Sequence, residues 1–209
     1  MQRRRRTTET KPHPKKPGAR ERALSTAATI LRRDGYSRLT MERVAAESGV
    51  AKTTLYRHWP AKAALCMELY LEVADRELHD PDSGGIASDL RYICNTVVRL
   101  QTQTVAGPAF IGLIAEALSN PESSAAFLAD FAKRRREITR RVLKRAIQRG
   151  EIRADTDVDL VIDALGGATT FRLLQHHAPL SRKFADALVS LVLSGCKQPR
   201  ANRARKGMR

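Results

Sequence analysis

Apolar residues recur along this chain at helical spacing and never with the two-residue alternation of a strand, so an all-α protein is expected. From Ala19 to Arg33 the residues Ala23, Leu24, Ala27, Ile30 and Leu31 fall on one face, and Asp34-Gly35-Tyr36 closes the helix, with Gly35 supplying a left-handed cap. Two short helices follow: one is capped by Thr40 and ended by Gly49, and the other begins near Lys52-Thr53-Thr54. The next is predicted over 61–79, with Pro60 in its first turn, and Asp80-Pro81-Asp82-Ser83-Gly84-Gly85 breaks it.

Five further segments make up the rest. A helix is expected from Ile86 to Ala106, with a stripe of Ile86, Leu90, Ile93, Cys94 and Val97 that continues through Gln101 and Thr104. Polar groups in such a stripe need partners, from the backbone or from a ligand. Gly107-Pro108 is read as a break before a helix over 109–119, and Asn120-Pro121-Glu122 as the start of one running to Arg149. Asp155 or Asp157 caps a helix to His177 that is apolar on two sides. One stripe holds Val158, Val161 and Leu165, continued by Thr169, Arg172 and His176; nearly opposite lie Leu160, Ala164, Gly167, Phe171 and Leu174. An element apolar on both sides must be buried on both. Ser181 caps the last helix, where Phe184, Leu188, Leu191 and Val192 belong to a wide apolar arc. The total is about nine helices.

The 40–62 stretch is the most specific. A small Ala45, then Gly49, Val50 and Leu55 at offsets of four, five and ten residues, is the pattern of a helix-turn-helix. Val50 and Leu55 pin the second helix, leaving Lys52, Thr53, Thr54, Tyr56 and His58 outward. Thr side chains read base edges, while Lys and Tyr commonly hold phosphates. A plain helical hairpin with a solvated face is the competing account.

Charge sharpens the picture. Lys and Arg number 38 against 22 Asp and Glu, a formal +16. Residues 1–20 and 197–209 supply +13 of it, leaving +4 on 21–62 and −1 on 63–196. The excess of the body thus coincides with the helix-turn-helix, as a nucleic-acid partner requires. Residues 1–18 and 197–209 read as disordered basic tails, the first either a phosphate-contacting arm or a solvated one. The arginines of 133–145 invite a second nucleic-acid reading, but Phe127, Phe131, Ile138, Val142 and Ile147 form a packing face, so they read as a solvated or acid-paired surface.

Cys66, Cys94 and Cys196 are too scattered for a disulfide framework or zinc site, which favours reduced buried thiols in a cytoplasm over a thiol sensor. Adjacent His176-His177 point about 100° apart and do not suit one metal ion. No cofactor loop, catalytic constellation or membrane-length apolar run is present in the sequence, so an enzyme is disfavoured and no cofactor or membrane partner is expected.

The run Gly49-Val50-Ala51-Lys52-Thr53-Thr54-Leu55-Tyr56-Arg57-His58-Trp59-Pro60-Ala61-Lys62 closely resembles the signature of the tetracycline-repressor (TetR) family of bacterial one-component regulators. The resemblance is strong over 20–69 and weaker to the C-terminus. It departs at Trp59, where Phe is usual, and at Ala51, where Ser is common. It places Lys52, Thr53, Thr54, Tyr56 and His58 on the recognition helix, Lys62 on a phosphate and Thr40 against the backbone. It implies a three-helix DNA-binding domain (19–65) and a ligand-binding and dimerisation domain (66–196). The function implied is a homodimeric repressor released from a palindromic operator by a small-molecule effector. The alternative is a non-specific, architectural DNA-binding protein. Candidate effector contacts are Cys94, Gln101, Thr104, Phe110, Phe131, Arg172 and His176. A four-helix dimer interface is expected from Leu160, Gly167, Phe171, Leu174, Phe184, Leu188, Leu191 and Val192.

Overall fold

The computed structural model describes residues 17–120 and 131–196. Both basic tails, apart from Pro17 and Gly18, lie outside these residues, as do Phe127 and the helix start read at Pro121-Glu122. Among the described residues there are nine α-helices, one 3-10 turn and no strand. They are α1 (Ala19–Asp34), α2 (Met41–Ser48), α3 (Lys52–His58), α4 (Lys62–Glu77), α5 (Ile86–Gln103), α6 (Ala106–Ser119), α7 (Lys133–Gln148), α8 (Val158–Gln175) and α9 (Arg182–Cys196).

Local chemistry sets the ends. Glu21 accepts the Gly18 N–H at 3.0 Å, satisfying a donor at the start of α1. Gly35 follows α1 with φ 77° and ψ 177°, a conformation open only to glycine, though not the left-handed helical one expected. Thr40 Oγ1 accepts the Arg43 N–H at 3.1 Å as the α2 cap, and Gly49, with φ 65° and ψ 23°, ends that helix in the left-handed region. Asp157, not Asp155, caps α8 through the Leu160 N–H at 3.0 Å.

Two prolines stand elsewhere than their spacing predicts. Pro60 stands before α4, whose N-cap is Ala61, and not within its first turn. Gly107-Pro108 does not break the chain, because α6 begins at Ala106 and Pro108 occupies its first turn, where a missing N–H costs nothing. The break is at Thr104-Val105. There Thr104 Oγ1 donates to the Leu100 carbonyl at 2.6 Å and accepts the Ala106 N–H at 3.1 Å. Gly107 is needed for a close approach, since a Cβ there would lie 2.0 Å from the Gln101 carbonyl oxygen.

Buried apolar side chains form two clusters. The first joins α1, α2, α3, α4, the end of α5 and α6, with Leu39, Trp59, Leu65, Tyr70, Leu100, Phe110 and Leu113 among its members. It runs without interruption across residue 65, so the helix-turn-helix head shares its core with α4 and α6. The second joins α5, α7, α8 and α9 around Leu90, Leu143, Leu165 and Val189.

Four arginines of α7 are tied down by acids within the chain. Arg141 Nε donates to Asp80 at 2.7 Å, and Arg145 donates to Asp80 at 2.7 Å and to the Pro81 carbonyl at 2.6 Å. Arg136 pairs with Asp159 and Asp163, Arg140 with Asp159. Their acids come from the α4–α5 connection and α8, so this surface is neutralised locally instead of waiting for phosphates.

Candidate functional site

The reading helix α3 is held from beneath. Leu55 is fully buried, and Trp59 just past the helix end and Val50 before it are buried too. Trp59 brings a donor that Phe would lack; its Nε1–H reaches Glu68 of α4 at 2.5 Å, and Glu68 also takes Arg20. The substitution therefore comes with its own acceptor.

On the outer side Lys52, Thr53, Tyr56, Arg57 and His58 are exposed and Thr54 is half-buried. With 100° per residue, Thr53 and Arg57 point most directly away from Leu55. The resemblance does not single out Arg57. Its place opposite the buried residue is the signal that finds it. Glu42, in the first turn of α2, holds two of these side chains: it accepts from Tyr56 Oη at 3.3 Å and lies 3.8 Å from Lys52. Its carboxyl sits below the usual range, chiefly through its own backbone N–H and then through Lys52 and Tyr56. The Tyr56 hydroxyl is pushed up by partial desolvation and by Glu42. Arg43 ties α2 to α1 through Asp34 and pairs within α2 with Glu47 at 2.7 Å.

Lys62 opens α4 at a junction between head and body. Its ammonium lies 4.3 Å from the centroid of Tyr36 and 3.9 Å from Glu116 of α6. Tyr36 Oη donates to the same Glu116 at 3.0 Å. The ring packs so closely on α6 that a Cβ at Gly112 would stand 2.0 Å from Tyr36 Cδ2. Burial first, then the neighbouring Cys66 and Glu116, drive the Tyr36 hydroxyl well above its ordinary value.

The far end of α4 borders a cavity of about 260 Å³. Tyr70, Leu71, Ala74 and Leu78 of α4 face Ile93, Cys94 and Val97 of α5, Arg135, Ile138 and Thr139 of α7, and Ile162, Leu165 and Thr169 of α8. A mostly apolar cleft with a few polar groups, slightly below the usual volume range of ~300–1,000 Å³, suits a small ligand. Of the effector contacts expected from sequence, only Cys94 lines this cavity. Its thiol is pushed up to about 12 by burial. Phe110 and Phe131 stand behind Tyr70, with ring centroids 5.9 Å and 4.8 Å from it. Gln101 is buried with both side-chain polar atoms unpartnered, but away from the cavity lining. Thr104 is the helix-end cap described above. Arg172 lies 3.8 Å over Phe184 and donates to the Pro179 carbonyl at 2.9 Å. His176 is the exposed left-handed cap of α8, with φ 51°.

The α8–α9 surface is apolar and open. Leu160, Phe171, Leu174 and Leu191 are 65%, 59%, 39% and 71% exposed, and nothing stands within 4 Å of a Cβ built at Gly167. Phe184 and Val192 are half-buried beside them. Leu188 is buried in the second cluster and contributes to the protomer core.

A helix-turn-helix head with a polar outer face, fused through one helix to a body with a cavity, defines a DNA-binding transcriptional regulator. Residues 23–69 match the family model described as bacterial regulatory proteins, tetR family, and residues 80–192 match the Tetracyclin repressor-like C-terminal domain. The DNA-binding transcriptional repressor TetR of Mycobacteroides abscessus is 33% identical over 81% of this chain and 89% of its own length. The crystal structure of the TetR family transcription regulator SCO0332 superposes with a TM-score of 0.71, at 34% identity over 86% of this chain and 99% of that one. A Saccharomonospora viridis regulator crystallised in complex with choline has the same fold (TM-score 0.62, 20% identity, covering 84% and 95%). The chain belongs to the TetR family. Its relatives are transcriptional regulators and not enzymes.

Proposed function

We propose that this protein is a repressor that binds a palindromic operator as a homodimer and leaves it when a small molecule fills the cavity. The observation that carries the reading is α4. Its first residue, Lys62, lies over Tyr36 of the head, and Tyr70, Leu71 and Ala74 in its later turns, with Leu78 at its cap, line the cavity. At 1.5 Å per residue those two regions are about 12–24 Å apart on one rigid element. A ligand that shifts the cavity end of α4 also shifts Lys62 and, through Tyr36 and Glu116, the seat of the head.

Linkage sets the size of the effect. A ligand that binds best when the heads are misplaced weakens DNA binding by the factor by which DNA weakens its own, typically ~1–3 kcal/mol. The exposed apolar stripe of α8 and α9 supports pairing with a second copy, and a two-fold dimer implies half-sites about 34–36 Å apart or a multiple. Lys52, Thr53, Thr54, Tyr56, Arg57, His58, Thr40 and Lys62 are the proposed DNA contacts.

Selection of bound fragments from random DNA tests the reading and is expected to return a palindrome. Tyr56→Ala and Lys62→Ala should then weaken binding to all sequences, while Thr54→Ala relaxes choice at particular bases. Recovery of fragments with no common sequence would point to a non-specific DNA-binding protein instead. Operator affinities within twofold of wild type for all three variants would remove these residues from the interface.

A further inference from the structure

Among the described residues, one of the three arginines that line the cavity, Arg135, packs on aromatic rings and has no acidic partner. Arg135 lines it from the first turn of α7, and its guanidinium carbon lies 4.3 Å from the centroid of Phe110, 5.6 Å from Phe131 and 5.8 Å from Tyr70. Two other arginines of the same helix are paired with acids, Arg136 with Asp159 and Asp163, Arg140 with Asp159. Arg135 has no carboxylate within 4.0 Å among the described residues, and it is half-buried. Three aromatic faces fix the position of a guanidinium but use none of its N–H donors.

One helical turn further on, at the i+4 position that shares a face with Arg135, Thr139 also lines the cavity. It is buried, and its hydroxyl, like that of Tyr70, makes no hydrogen bond among the described residues. Leu71, Leu78, Ile93, Val97, Ile162 and Leu165 supply an apolar wall, and Arg134, Arg136, Cys94, Thr169 and Thr170 also border the cavity. Two carboxylates border the cavity. Asp163 is already taken by Arg136, and Asp75 is exposed to solvent, where its charge is screened.

We infer that the effector is a small organic acid with an apolar body, its carboxylate received by Arg135 with Thr139 and Tyr70 completing the hydrogen bonds. A carboxylate accepts two parallel N–H bonds from a guanidinium, and this one is pre-positioned by its rings, so little freedom is lost on binding. The same geometry disfavours a cationic effector, because the three-ring cage that would attract it already contains the chain's own cation. This inference rests on the cavity being the effector site.

The test is calorimetric. Aliphatic and aryl monocarboxylates of four to ten carbons are titrated into the full-length protein, each beside its primary amide and its amine, with choline as a further cation. At least one acid is expected to bind at least about tenfold more tightly than its amide and amine, and choline is expected not to bind. Arg135→Gln should bring acid and amide to equal affinity, while Arg135→Lys keeps the preference in weakened form; melting by circular dichroism checks that both variants fold. The inference is overturned if no acid binds, if an amide, amine or choline binds as well as its acid, or if Arg135→Gln retains the preference. Anisotropy with labelled operator separates the two readings. An acid bound through Arg135 that leaves operator affinity unchanged sinks ligand release and spares the headgroup assignment. Release by a molecule indifferent to Arg135 does the reverse.

Discussion

Phe171→Asp is expected to convert the protein to a folded monomer. Phe171 lies on the outer face of α8 with 59% of its surface exposed, so its substitution disturbs little within the protomer. Full burial of a Phe or Leu side chain contributes ~1.5–3 kcal/mol, which scaled by that exposure leaves about 1–2 kcal/mol to be gained on pairing. Two-fold symmetry counts the loss twice, for roughly 3 kcal/mol. Each new carboxylate adds a desolvation penalty of at least ~1 kcal/mol. The dimer dissociation constant should therefore rise by about three to four decades. Sedimentation at micromolar concentration should show a monomer with wild-type helical circular dichroism, and operator affinity should fall to that of one half-site. Gly167→Glu, at an exposed position that also borders the cavity, should act the same way on assembly. Leu118→Asp is the control: this α6 residue is 80% exposed but off the α8–α9 face, and its variant should remain dimeric. A Phe171→Asp protein that stays dimeric and binds operator normally would refute the assignment of this face.

Glu116→Gln should free Lys62 for phosphate and remove a nearby negative charge, raising operator affinity about two- to fivefold at low salt, an advantage that fades as salt screens it. Fluorescence anisotropy across a salt series measures it. Asp80 is held below its ordinary pKa by hydrogen bonds from Arg145 and then Arg141. A depressed carboxylate stabilises the fold above its unfolded value near ~4 and loses that contribution as pH falls through its lower folded value. Asp80→Asn should therefore be less stable than wild type at pH 7 in urea, with the gap closing in acid. Burial pushes the Cys66 thiol up to about 12, so iodoacetamide at pH 8 should label it only after denaturation, as peptide mass mapping would show.

The helix-turn-helix was legible because its information is local. Thr40, Gly49, Val50 and Leu55 fix two helices and their crossing within sixteen residues, and each does in the structure what its spacing implied. The open face of α8 was legible for the same reason, as a second apolar stripe with no use inside the protomer. The cavity was not, because its wall is assembled from four helices separated by up to a hundred residues. Polar positions in the α5 stripe left backbone partners and a ligand both open; Thr104 takes backbone partners, and Gln101 lies off the cavity. Arg135 was hidden among arginines that look alike in sequence. Only the positions of Asp80, Asp159 and Asp163 show which of them are neutralised and which is not. Pro108 misled because proline is equally at home in a break and in a first helical turn.

The core that runs unbroken from α1 to α6 limits how this regulator can be taken apart. Excising residues 19–65 would strip Trp59 of Glu68 and leave Tyr36 without its seat on Gly112. Leu65 would lose Leu69 and Tyr70 from its own cluster. The unit that travels with the reading helix is thus the head together with α4 and α6. Chimeras meant to give this effector site a new operator should be joined beyond α6. By the same constraint, lineages exchanging operator preference should do so by point changes on the outer face of α3 more readily than by recombination near residue 65.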